Sequence, residues 1–204
     1  MQRITTHDEL REIIGTPIPR VAAKVRRALH DLDRDWLAAS PFCLVATSDS
    51  DGNLDVSPKG DPPGFTLVLD PATIAIPERS GNRRADGFHN IVDNPHVGLI
   101  YMIPGRGDTL RINGRACLVR DDDLFDRMVV HRHRPEMALL VEIEEVFYHC
   151  SKAFLRSRLW EPASWSPSDA PSRPVIAKTI EQPQASMAAL EEYYGPAYAA
   201  KLYE

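Results

Sequence analysis

The chain has 204 residues, 43% hydrophobic and 26% charged, a balance that suits one domain with elaborations and carries no global signature of disorder. Its formal net charge of -5 and pI near 5.8 argue against nucleic acid as the main partner, because phosphate-backbone binding calls for an electropositive surface. No apolar run reaches the roughly 18 residues of a membrane span, the N-terminus lacks a signal peptide's apolar centre, and three scattered cysteines (Cys43, Cys117, Cys150) suit reduced thiols, so a cytoplasmic protein with a small-molecule partner is expected.

Taken in order, Thr6 and Glu9 form the Thr-x-x-Glu capping box of a short helix with Leu10, Ile13 and Ile14 on one face, closed by Gly15 and Pro17. Val21, Val25, Leu29, Leu32 and Trp36 repeat at helical spacing and predict a second helix ended by Ser40-Pro41. Residues 1–40 are thus expected to be helical and to pack on the strand-rich segment that begins at Pro41.

From Pro41 to Arg120 short apolar runs alternate with turns. Strands are expected at 42–47, 54–57, 65–69, 73–77, 97–103 and 109–119, with a helix from Asn82 to Asp93 stopped by Asn94-Pro95. Asp121-Asp122-Asp123 opens another short helix, and a last strand runs from Ala138 to Tyr148 with an irregularity near Glu145-Val146. Residues 161–174 hold four prolines among serines and read as an arm, and the tail from Gln184 is helical through Met187, Leu190 and Tyr194 until Gly195-Pro196. About seven strands with short turns point to an antiparallel barrel rather than an alternating βα sheet. The divisions are 1–40, 41–160 and 161–204.

Two connections concentrate polar chemistry. Arg79-Ser80-Gly81-Asn82-Arg83-Arg84 lies where a strand gives way to a helix, with Asn82 as its candidate N-cap. A helix start offers free N–H groups to an anion, Arg79, Arg83 and Arg84 supply forked donors, and Gly81 lets the backbone approach a ligand. The same arginines read equally as surface charges. Ser57-Pro58-Lys59-Gly60 ends a strand, where Lys59 either contacts a ligand or snorkels to solvent. Asp61-Pro62-Pro63-Gly64 is a rigid turn. Thr109 and Arg111 lie on the polar face of their strand. His149 and Cys150 are neighbours on a strand and point opposite ways, against a Cys–His catalytic pair. His89, His96, His131 and His133 lack the spacing of a metal site, so none is expected, and no catalytic residue can be named. No GxGxxG, Walker loop or GxSxG is present in the proper context.

These residues carry a resemblance. Residues 41–120, with Ser57-Pro58-Lys59-Gly60, Ile76-Pro77-Glu78-Arg79-Ser80-Gly81-Asn82-Arg83-Arg84 and Leu110-Arg111-Ile112-Asn113-Gly114, resemble the pyridoxamine 5′-phosphate oxidase-like split barrels. Gly60-Asp61-Pro62-Pro63-Gly64-Phe65, the late His149-Cys150-Ser151-Lys152-Ala153 and Arg156-Ser157-Arg158-Leu159-Trp160 resemble a bacterial flavoprotein subgroup, over roughly residues 20–165. The resemblance implies a mainly β fold with added helices, a six-stranded antiparallel split β-barrel, and a homodimer with FMN in clefts at its interface. It implies that Arg83 and Arg84 grip the phosphate and that Ser57, Lys59, Ile76 and Pro77 lie along the ring. Thr109 and Arg111 would add polar contacts, and Arg158 and Trp160 would reach the partner's flavin. Arg79, Asn82 and Lys152, from the same motifs, complete the expected cofactor contacts. The oxidase's own substrate motif is not found.

The expected function is therefore an FMN-dependent oxidoreductase of unknown substrate, with hydride transfer through flavin N5. The alternatives are a flavin- or haem-binding module without turnover, with His149 or His89 as haem ligand, or a deazaflavin-dependent reductase.

Overall fold

A computed structural model describes residues 1–120, 123–199, 202 and 203. Seven strands form one antiparallel sheet: β1 (Phe42–Ser48), β2 (Leu54–Gly60), β3 (Leu67–Asp70), β4 (Thr73–Pro77), β5 (His96–Met102), β6 (Thr109–Arg120) and β7 (Met137–His149), in the order β2-β1-β5-β6-β7-β4-β3. The count follows the residues rather than the resemblance, which implies six. The extra strand is β3, a four-residue edge that folds back on β4 through the Asp70–Thr73 turn. Among the described residues no pairing joins β2 to β3, so the sheet is open rather than closed.

The long β6–β7 hairpin serves both halves. Its open end, around Thr109–Arg115, pairs with β5, while residues Ala138–Glu142 of β7 pair with β4. Between them a bulge sets Asn113 opposite Glu145 but Gly114 opposite Ile143, leaving Glu144 over. An extra residue on one strand bends the ladder. Glycine is required at this bend, because a Cβ on Gly114 would stand 2.0 Å from the Glu142 carbonyl oxygen. The sequence places the irregularity one residue later, at Glu145-Val146.

Strand alternation decides the faces. Cys43, Val45, Leu99, Tyr101, Leu110, Ile112, Val141, Ile74 and Ile76 turn inward to one core. Leu44, Ala46, Ile100, Thr109, Arg111 and Phe147 turn outward, in register across β1, β5, β6 and β7.

The helices depart further from expectation. The capping box of α1 (His7–Ile14) is present, Thr6 Oγ1 accepting from the Glu9 amide at 3.2 Å and Glu9 Oε2 from the Thr6 amide at 3.2 Å. Yet neither α1 nor α2 (Pro19–Ala22) buries a residue. The single helix expected across 21–36 is broken. Arg26 and Val146 exchange backbone hydrogen bonds (3.1 and 2.8 Å), and the Leu29 amide donates to Pro71 O at 2.7 Å. Of these first three helices, α3 (Asp31–Ala39) alone packs on the core, through Trp36 and Leu37, while Val21, Val25 and Leu32 stay exposed. Pairing with the sheet edge overrides the apolar period.

Asp121 and Asp122, expected to open a helix, lie outside the described residues; a 3-10 turn spans Asp123–Met128. After β7 come α5 (Lys152–Ser157), two 3-10 turns in the proline arm, α6 (Arg173–Ile176), a π-turn (Ala177–Glu181), α7 (Met187–Tyr193) and α8 (Pro196–Ala199). Among the described residues no helix is long and apolar enough to cross a membrane.

Candidate functional site

A cavity of about 1200 Å³ opens between β2, the loop after β4, and the turn before β7. Register builds its floor. Thr47, Val45 and Cys43 of β1 stand opposite Asp55, Ser57 and Lys59 of β2, so these three polar side chains share the inner face. Ser57 Oγ donates to Asp55 Oδ2 at 2.6 Å. Lys59 Nζ forms an ion pair with Glu78 Oε2 and lies 4.6 Å from the Phe88 ring centre. The charge of Lys59 is therefore balanced within the chain and held over an aromatic face. Behind it, burial pushes the Cys43 thiol up to about 12, which disfavours a thiolate there.

Helix α4 (Asp86–Asp93) forms one wall, and it starts four residues later than Asn82. Asn82 is no N-cap: its Oδ1 accepts from the Arg84 amide at 3.0 Å within the loop. The capping position belongs to Ala85, left-handed at φ 57°, which lends no side chain to the first amides. The helix start fits closely against β2, because a Cβ on Gly87 would sit 3.0 Å from Asp55 Oδ2. Asn90 Nδ2 fastens the helix to Thr47 Oγ1 at 3.0 Å.

The arginines of the loop divide. Arg79 is tied into the protein, donating to Asp61 Oδ2 (2.6 Å), Met128 O (2.7 Å) and His133 O (3.3 Å). It lines the cavity but offers no free fork to an anion, and its observed part is to hold the turn before β7. Arg84 pairs with Asp86 at 2.8 Å, both side chains largely exposed. Arg83, also left-handed at φ 62°, lines the cavity with no side-chain partner among the described residues. A bulky residue at positive φ costs about 1–3 kcal/mol and persists where surrounding structure enforces it. The loop thus directs one unpaired guanidinium and the uncapped start of α4 to the same opening.

The remaining expected residues are placed elsewhere. Pro77 lines the cavity, whereas Ile76 is in the core. Thr109 and Arg111 are on the opposite, outward face of the sheet, where Arg111 lies 5.1 Å from the Phe147 ring and its Nε is buried without a partner. Lys152 begins α5 and is exposed. Arg158, at φ 52°, caps α5 and pairs with Glu161 at 2.7 Å. Trp160 Nε1 donates to Arg106 O at 2.7 Å, its ring stacked on Phe154. Neither Lys152, Arg158 nor Trp160 reaches this cavity, and His89 and His149 do not line it.

Sequence reasoning missed Asp61, Glu78, His133 and Tyr203 as cavity residues. Asp61 reads as part of a stiff turn and His133 only as an isolated histidine. Tyr203 donates to Asp61 Oδ1 at 2.5 Å across 142 residues of chain. That contact has no local signal.

Residues 29–150 match the family model for pyridoxamine 5′-phosphate oxidase. No curated protein matches significantly. Among solved structures, a putative pyridoxamine 5′-phosphate oxidase from Lactobacillus delbrueckii is similar at 26% identity, covering 61% of this chain and 98% of that one, with a TM-score of 0.48. An FMN-binding protein from Syntrophomonas wolfei is similar at 11% identity, covering 59% and 90%, TM-score 0.44. The haem storage protein HutZ from Vibrio cholerae is similar at 14% identity, covering 59% and 93%, TM-score 0.41.

Proposed function

The chain belongs to the pyridoxamine 5′-phosphate oxidase family, and from that premise we propose that it binds FMN in the cavity between β2 and α4 and works as an oxidoreductase on a small molecule. The observation that carries the reading is the convergence of the unpaired Arg83, the neighbouring Arg84 and the uncapped start of α4 on one opening. Free helix-start amides and guanidinium groups are the donors a phosphate monoester requires.

The residues present fit the group. Gly87 keeps the helix start close to β2 where any side chain would crowd Asp55, and the volume exceeds what one flavin mononucleotide fills. Arg83 and Arg84 would hold the phosphate. Ser57, Lys59 and Pro77 would lie toward the ring. Bound FMN supplies hydride transfer at N5. Lys59 holds a positive charge at the floor, Glu78 and Phe88 fix its position, and the Asp55–Ser57 hydrogen bond keeps the floor polar. The proposed contribution of the chain is orientation and electrostatics.

The residues expected from the resemblance but facing outward, Thr109 and Arg111, reach a cofactor only if a second copy supplies them. A homodimer with shared clefts belongs to the same proposal.

The test is purification followed by titration with FMN, read by flavin fluorescence and visible absorbance. Binding should be saturable, and Arg83→Ala should weaken it on the order of tenfold, the loss of one charge-assisted contact. Riboflavin, lacking the phosphate, should lose affinity and show no Arg83 dependence. Protein that stays colourless after FMN is added would sink the reading.

A further inference from the structure

Tyr203 is held in an unusual way for a surface tyrosine. Its ring stacks on His133 with centres 5.5 Å apart and planes 25° from parallel, and meets the edge of His131 at 5.4 Å. The Arg79 guanidinium lies 5.8 Å from the ring centre. Its hydroxyl donates at 2.5 Å to Asp61, a carboxylate whose side chain is only 1% exposed and whose other oxygen is held by Arg79 at 2.6 Å. Short O–H to carboxylate hydrogen bonds are charge-assisted and strong.

The histidines are presented by backbone that is itself under strain. Val130 and His133 exchange hydrogen bonds (3.2 and 2.8 Å) around a two-residue turn in which His131 (φ 48°) and Arg132 (φ 70°) are both left-handed. Such turns ordinarily take Asn and Gly. Here His-Arg occupies them, and Arg79 braces the turn by donating to His133 O and Met128 O. Strained backbone held in place from several sides is characteristic of ligand clamps.

Asp61, Arg79, His133 and Tyr203 line the large cavity, and His131 adjoins it through its contact with the Tyr203 ring. Each of these contacts is one that any flat ring with a single hydrogen-bond donor would make. We propose that His131, His133, Arg79 and Asp61 form a subsite for the planar ring of an aromatic ligand carrying a phenolic or amide-type donor, and that Tyr203 occupies it as an intramolecular stand-in. The slot selects on three counts. The imidazoles require flatness, the guanidinium favours the electron-rich face of a ring, and the buried carboxylate rejects a ring without a donor, which would leave that acceptor unsatisfied. The proposal rests on this cavity as a ligand site and holds whether or not FMN is its cofactor.

The probes are 4-methylphenol and toluene, added to the full chain and to Tyr203→Ala with histidine ring signals followed by NMR. The His131 and His133 signals are assigned from His131→Gln and His133→Gln. 4-Methylphenol should bind Tyr203→Ala about tenfold more tightly than the unchanged chain, moving both signals, as expected for an emptied slot refilled by a buried ring. Toluene should bind at least about tenfold more weakly than 4-methylphenol, for want of the donor. Tyr203→Phe, which keeps the ring but not the hydroxyl, should fall between the other two chains. Equal binding to all three, equal binding of toluene, or binding that leaves both histidines unmoved would overturn the proposal.

FMN forms a separate arm. If FMN binds, moves both histidine signals and competes with 4-methylphenol, the flavin ring itself is the slot's ligand. If FMN binds and leaves them unmoved, the slot serves a second aromatic molecule. If FMN does not bind, the flavin reading fails while the 4-methylphenol result still decides the slot.

Discussion

Asp33 is fully buried, and its charge is sustained by named partners: Arg26 donates to both carboxylate oxygens, one bond at 3.0 Å, and the His30 amide donates at 2.7 Å. Burial works to raise its pKa, but the hydrogen bonds from Arg26 and His30 outweigh it and hold the carboxyl below its ordinary value. A carboxylate depressed in the folded state contributes stability that is present above its unfolded pKa, about 3.9, and is lost as pH falls through the folded value. Asp33→Asn should therefore cost about 1–3 kcal/mol at pH 7, and the gap to the unchanged chain should shrink as the pH falls through and below the ordinary carboxylate range. Urea midpoints across that range check it; a gap independent of pH would assign the loss to packing alone. At this scale the sequence is legible where the cavity lining is contiguous. Arg83 and Arg84 adjoin an expected helix start, so spacing brings them into view, whereas Ser57 and Lys59 come into view as cofactor contacts only through the family resemblance. Glu78, Asp61 and Tyr203 become site residues only through tertiary pairing, with Lys59 and Arg79 as the intermediaries. Arg79 is the instructive reversal, because a guanidinium beside two others reads as a phosphate grip until its buried partners are seen.

Between residues, the strands are the readable elements. Thr73–Pro77 is found as expected, the starts at Phe42, Leu54 and Thr109 hold, and the remaining edges move by one to three residues, because alternation and β-branched content persist wherever one face is buried. Helix starts are less readable. Helix α4 begins at Asp86 rather than Asn82 because Arg83 and Ala85 take left-handed backbone that no propensity anticipates. Replacing Ala85 with glycine should relieve that conformation, worth about 1–2 kcal/mol, against an unfolded-state entropy cost of about 0.5–1 kcal/mol. The expected outcome is a small gain in thermal midpoint with far-UV circular dichroism unchanged, and a lowered midpoint would show that Ala85 is not strained. The β6–β7 bend allows the opposite experiment. Gly114→Ala would set a methyl group 2.0 Å from the Glu142 carbonyl oxygen, a backbone atom that cannot swing aside. A loss of about 3 kcal/mol or more in urea unfolding is expected, whereas Gly52→Ala, in an open turn with nothing within 4 Å of the new carbon but at φ 86°, should lose only the strain of its conformation, about 1–2 kcal/mol. Equal costs at the two glycines would mean that the bulge does not need its close approach.

For the molecule as a whole, the outward face of the sheet is what a lone chain leaves unaccounted for. Val56 and Leu54, on the β2 edge, are 57% and 79% exposed, and in register behind them lie the half-buried Leu44, Ala46 and Ile100. An apolar patch of this continuity on a charged protein is the kind of surface that the proposed homodimer would cover. Beside it, Arg111 keeps a buried Nε with no acceptor, a cost of about 1–3 kcal/mol that a partner's carbonyl or carboxylate would remove. The two faces of one sheet also separate the residues that the family resemblance groups around one cofactor, Ser57 and Lys59 inward, Thr109 and Arg111 outward. A second copy meeting this face would account for all three features at once, as part of the proposed shared clefts. Sedimentation velocity at tens of micromolar should therefore find a dimer, and Val56→Glu with Leu44→Glu should convert it to a monomer of unchanged circular dichroism, since charges directly opposed across an apolar interface are desolvated without partners. The monomer should also bind FMN on the order of tenfold more weakly if outward residues of the partner complete each cleft. A monomeric unchanged chain would reject the dimer. A monomeric double variant with full FMN affinity would keep the dimer but confine the cofactor to the cavity of one chain, and Thr109 and Arg111 would then serve only the interface.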